Sequence, residues 1–129
     1  MELELKKEDI LDIFRAMGEV MVVDEKDMNV VSVVTSCGVG VIGYVGDIMY
    51  KWLLGRGISA DKARIAVGQM IRGTGTLIKE QGTEVVIGDV CTKGGATIKG
   101  IEFLKDSIFG MLLELALVKM KKGLDELGT

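Results

Sequence analysis

The stretch VVTSCGVGVIGYVGD, residues 33–47, decides the fold. Its glycines at 38, 40 and 43 have the Gly-x-Gly-x-x-Gly spacing of a dinucleotide-binding turn, and they follow a valine-rich run that favours a strand. Such a turn needs an apolar strand leading into its first glycine, a helix behind the third, and a second strand ending in an acid about 20 residues on. Here Thr35, Ser36 and Cys37 precede Gly38, and the second strand's place is taken by SADKARIAV, a helical pattern. The spacing is cheap in a chain with 18 glycines. A membrane span is the second reading. The uncharged run from Val30 to Gly46 is 17 residues with four glycines, shorter and less apolar than the roughly 20 residues a span needs. A buried core helix or strand is the third reading and the better one: the β-branched residues favour a strand, the length favours a helix, and in a helix the glycines allow close packing or a kink.

Working outward, EDILDIFRAM places Ile10, Leu11, Ile13, Phe14 and Met17 on one helical face, with Glu8 and Asp9 at the positive end of the helix dipole and Gly18 as the stop. Val20–Val23 reads as a short strand before an acidic turn. Ser59 begins a helix that carries Ile65, Ala66, Met70, Leu77 and Ile78 and ends near Gly82. The segment around Gly94 and Gly95 reads as a loop, with a helix starting near Thr97. Asp106 or Ser107 caps a last long helix with Ile108, Leu112, Leu115, Ala116 and Met120 facing inward. Asp47 and Lys51, four apart, make an exposed or interfacial ion pair.

The composition limits the chemistry. The 129 residues, 48% hydrophobic, suit one domain spanning 1–129. A net charge of −3 supplies no field for nucleic acid. Two cysteines, Cys37 and Cys91, with no histidine point to a reducing cytoplasm, to inert buried thiols, and away from zinc or Ser-His chemistry.

Several segments in one register resemble the C-terminal domain of pyrroline-5-carboxylate reductase. Phe14 and Gly18 stand in the first helix and Glu25 in the acidic turn; TSCGVGV, Thr35–Val41, stands where the family has the Ser-Gly-Ser-Gly-Pro-Ala-Tyr helix break. RGISADKARIAVGQMIRGTG follows with Gly57, Ala63, Gln69 and Gly73 in place, and VCTKGGATIKG, Val90–Gly100, resembles the family's Gly-Gly loop. The resemblance implies an all-α fold: long helices interlocking between two subunits over residues 27–128, with residues 28–55 helical and broken around Ser36–Gly40. It also implies a short helix–strand remnant, 8–23, similar to the end of the family's cofactor (Rossmann) domain.

By the same resemblance, Thr92, Gly94, Gly95, Ala96 and Thr97 hold the carboxylate of an imino acid or proline, and Glu84 approaches the ring nitrogen. Lys93 replaces the loop proline, and Val39, Gly40 and Val41 replace Pro-Ala-Tyr. No nicotinamide site is expected in this chain. NAD(P)H enters only through a separately supplied cofactor domain, so the chain alone is expected to be inactive. The expected partners are a second copy, a cofactor-binding subunit and a small carboxylate, with neither nucleic acid nor membrane. The alternative is a non-enzymatic small-carboxylate binding module or a purely structural dimer.

Overall fold

A computed structural model describes residues 6–128; residues 1–5 and 129, the ends of the expected single domain, lie outside the described residues. The architecture is all-helical. Helix α1 spans Lys7–Arg15, and a 3-10 turn at Glu25–Asp27 leads into α2, Met28–Ser32. Then come a π-turn at Val33–Cys37, α3 (Gly38–Leu54), α4 (Ala60–Gln81), α5 (Thr83–Val90), α6 (Ala96–Asp106) and α7 (Phe109–Leu127).

The stretch that opened the sequence reading is helical throughout. Gly38, Gly40 and Gly43 lie inside α3, where their amides belong to the helix, so they form no phosphate cradle. The expected break at Ser36–Gly40 is corrected in shape and position. The helix widens into one π-turn three residues earlier, and the backbone stays right-handed through Cys37 (φ −67°, ψ −32°) and Gly38 (φ −58°, ψ −27°). The physical reason is the missing proline: Val39 keeps the N–H that Pro would lack, so the hydrogen-bond ladder need not end. The Thr35 hydroxyl donates to the Val31 carbonyl at 3.1 Å within the widened region.

The 3-10 turn and α2 also lengthen the apolar rod to Glu25–Leu54, 30 residues, long and apolar enough to cross a membrane by length and composition alone. The shortness of the uncharged run therefore no longer argues against a span. What does bear on it is packing. α3 lies on α4 through Gly46, where an added Cβ would sit 3.1 Å from the Ile71 Cδ1 and 3.4 Å from a Val67 methyl. Glycine lets the two backbones approach.

Two other expectations need correction. Val20–Val23 forms no strand; none exists among the described residues, and a strand requires a neighbour to take its N–H and C=O groups. Residues 83–90, read only as the approach to a loop, form α5, which packs on α4 beyond a joint at Gly82 (φ +88°). Other boundaries agree with the sequence reading. α4 follows Ser59, α6 starts one residue before Thr97, and the Ser107 hydroxyl accepts the Phe109 amide at 3.1 Å, capping α7.

Packing within one chain is thin. Val33 (4% exposed) and Ala63 (0%) are the only buried hydrophobic residues among those described. The faces read as inward-pointing are half open: Ile13, Phe14, Leu112 and Leu115 are all at least 50% exposed. The chain's accessible surface is 10793 Å². A compact monomer of this mass exposes about 6,700 Å², so roughly 4,000 Å² per chain is left for another surface to cover, more than the roughly 1,000–2,500 Å² per partner of common obligate interfaces.

A polar tie joins α2 to α7. Asn29 on α2 donates to Asp125 on α7 at 2.9 Å, and Lys121 pairs with the same carboxylate at 2.7 Å. The Lys121 ammonium, then the Asn29 amide, hold Asp125 below its ordinary value of 3.8. The tie thus stabilises the fold above the ordinary carboxylate range and is lost as pH falls through the depressed value. Asp125→Asn is expected to lower Tm modestly at pH 7, with the gap to the parent chain closing at pH 3. An equal gap at both values in thermal melts would refute the tie.

Candidate functional site

The candidate site is the connection between α5 and α6. α5 closes with the Cys91 amide donating to the Ile87 carbonyl at 3.1 Å, and the chain then turns at Thr92–Gly95, where the Gly95 amide donates to the Thr92 carbonyl at 2.9 Å. Gly94 has φ +75°, the third position of a type II turn, which side chains other than glycine rarely tolerate. Lys93 occupies the second position, whose negative φ proline presets and lysine can also adopt. Gly95 is required for a different reason. A Cβ there would sit 2.6 Å from the Thr92 Oγ1 and 3.0 Å from the Thr92 carbonyl oxygen.

Behind this turn α6 begins with no side-chain cap on its N-terminal amides. These amides carry the positive end of the helix dipole, and Ala96 and Thr97 in the first turn are exposed. Such an end binds a carboxylate through backbone donors with little rearrangement. Thr92, Gly94, Gly95, Ala96 and Thr97 are thus held together by one turn and one helix start. Glu84 is not: it opens α5, and the loop follows the other end of that helix, about 10 Å of axial rise away.

A second feature went unread in the sequence, an apolar slot of about 490 Å³ between α3 and α7. Val41, Tyr44, Ile48, Leu112, Ala116 and Met120 are among its lining residues. The last helix reads as amphipathic and residues 28–55 as helical through the family resemblance, but nothing in either pattern says that the two leave a gap between them. Elsewhere, Cys37 and Cys91 are free and half-buried, and Lys51 pairs with Asp47 at 2.6 Å, which raises the lysine's pKa.

Helices that leave most of their apolar surface open, with a helix-flanked slot and little core of their own, define an all-helical dimerisation module. The match to known proteins agrees. Residues 25–127 fit the family model for pyrroline-5-carboxylate reductase dimerisation, and the chain belongs to that family. No curated protein matches the chain. Among solved structures, it is similar to Plasmodium falciparum pyrroline carboxylate reductase with NADP bound, with TM-score 0.81 and 20% identity, over 99% of this chain and 54% of that one. The chain therefore spans about half of that reductase's length.

Proposed function

We propose that this chain is the dimerisation and substrate-carboxylate half of an imino acid reductase, working as an interlocked homodimer in the cytoplasm. The α3–α7 slot and the open faces of α4 and α7 pack against a second copy, which also gives the rod Glu25–Leu54 a protein surface rather than lipid to cover it. NAD(P)H, which supplies the hydride, is held by a cofactor domain that residues 8–23 adjoin. This chain's own part is to hold and orient the substrate. The Gly95, Ala96 and Thr97 amides and the Thr92 and Thr97 hydroxyls take the carboxylate of pyrroline-5-carboxylate or proline, fixing the ring. Glu84 is assigned to the ring nitrogen by family likeness alone.

The observation that carries this reading is the uncapped α6 N-terminus behind a turn that requires both glycines, in a family-defined dimerisation domain. Calorimetric titration with L-proline, using D-proline as control, tests it. Stereoselective binding is expected, weakened about tenfold by Thr97→Ala through loss of one hydrogen bond. Glu84→Gln is expected to weaken it less, given the helix length between them. No heat with either enantiomer would overturn the carboxylate assignment and favour a purely structural dimer.

A further inference from the structure

The C-terminal half of α3 and the N-terminal half of α4 enclose a second apolar groove, about 440 Å³ in volume. The two backbones close up at Gly46, and beyond that contact Leu53 and Val67, both half-buried, are flanked by exposed Met49, Trp52 and Met70. The groove shares only Ile48 with the α3–α7 slot and runs on toward the end of α3. Trp52 is 55% exposed, yet its ring is held: the Arg56 guanidinium lies 3.6 Å from the ring centroid. An open but oriented aromatic beside two methionines suits an interface anchor, because the ring supplies contact area at little entropic cost and the thioethers adapt to what they meet.

The charge around the groove is positive. Residues 47–72 carry five Lys and Arg against two Asp, a local +3 on a chain of −3 overall. Both acids are already paired, Asp47 with Lys51 and Asp61 with Arg64. Lys62 stands one turn before Ala66 on the same helical face, which sets it at the α4 lip, and Arg56 stands at the α3 lip over Trp52. Neither pairs with a carboxylate among the described residues.

Shape, charge and area together define the occupant. A concave apolar groove between two helices takes the apolar face of a third, whereas a lipid surface calls for a protruding apolar face. The basic lips select acidic flanks. A twofold contact of the groove with its own copy would set basic lips against basic lips. Of the roughly 4,000 Å² per chain left open, a common obligate interface covers about 1,000–2,500 Å², and a further interface of standard size needs only about 800 Å² a side.

We propose that the α3–α4 groove docks an acidic amphipathic helix of a partner protein, with Trp52 as its anchor. Trp52 is the chain's one tryptophan, so its fluorescence reports on the groove directly. The probe is a synthetic helical peptide with leucine and phenylalanine along one face and glutamate on the other. The same peptide with lysine in place of glutamate, and phosphatidylserine vesicles, are the comparisons. In the protein alone Trp52 should stay open to acrylamide quenching. The acidic peptide should shift its emission to the blue, saturably, and shield it from the quencher, while the lysine peptide binds at least about tenfold more weakly. Lys62→Glu should weaken the acidic peptide by about tenfold, and Met70→Asp by more, with homodimer sedimentation and helical circular dichroism unchanged.

Trp52 already shielded in the protein alone would mean that another copy fills the groove, and would overturn the inference. No blue shift with the acidic peptide, or equal shifts with both peptides, would overturn it too. A response to the vesicles without one to the peptide would replace the helix with a membrane surface.

Discussion

Leu112→Asp should convert the protein from a dimer into an unfolded or aggregating chain. In one chain Leu112 is 52% exposed and lines the α3–α7 slot, and in the proposed homodimer its open half packs against the second copy. Twofold symmetry places the change at two sites in each dimer. Because about half of the side chain is already covered within one chain, the apolar burial forfeited on association is about 1.5–3 kcal/mol per dimer, before the cost of placing a carboxylate in an apolar slot is added. That alone weakens association by about ten- to a hundred-fold. With Val33 and Ala63 as the only buried hydrophobic residues among those described, a released monomer has little to fold around. The expected result is loss of helical circular dichroism together with loss of the dimer in sedimentation velocity. A well-folded, helical Leu112→Asp monomer would refute the account of the fold.

Gly95→Ala has the second-largest expected effect, and it falls on the ligand. The added methyl carbon would lie 2.6 Å from the Thr92 Oγ1 and 3.0 Å from the Thr92 carbonyl oxygen. The hydroxyl can rotate away, but the carbonyl is backbone, so the turn must open and its 2.9 Å hydrogen bond to the Gly95 amide is strained. Overpacking of this kind costs about 1–3 kcal/mol. The α6 amides move with the turn, so L-proline binding should fall by about tenfold to a hundredfold or more while the dimer remains intact. Unchanged proline affinity in calorimetry would show that the Gly-Gly turn does not shape the site.

How much of this was legible in the sequence varied from element to element, for physical reasons. α4 was legible from Ser59 to Gly82 because its start, its apolar repeat and its stop are all local. The Asp47–Lys51 pair was legible for the same reason: spacing alone puts the two on one helical face. The π-turn was not, since a one-residue widening leaves no trace in hydrophobic periodicity, and neither was α5, whose Val85 and Val86 favour a strand by propensity while packing on α4 holds them in a helix. Val20–Val23 reads as a strand for a sound local reason, but its pairing partner is not among the described residues. The apolar stripes of α1 and α7 were placed correctly as stripes. The surface they face lies outside a single chain, and no periodicity reveals that.

The candidate site was legible as a loop and a helix start, because Gly94, Gly95 and the residues after them are contiguous. Glu84 was tied to it only by likeness, and the intervening helix now separates them. The turn's tolerance of Lys93 in place of proline follows from geometry: the second turn position needs a negative φ, which proline presets and lysine can adopt.

The central claim is that this chain folds as one half of an interlocked dimer. Sedimentation equilibrium at micromolar concentration tests it most directly. The account predicts a single species at twice the 13.9 kDa of one chain, with no folded monomer on dilution. A stable, helical species of one chain's mass would contradict it.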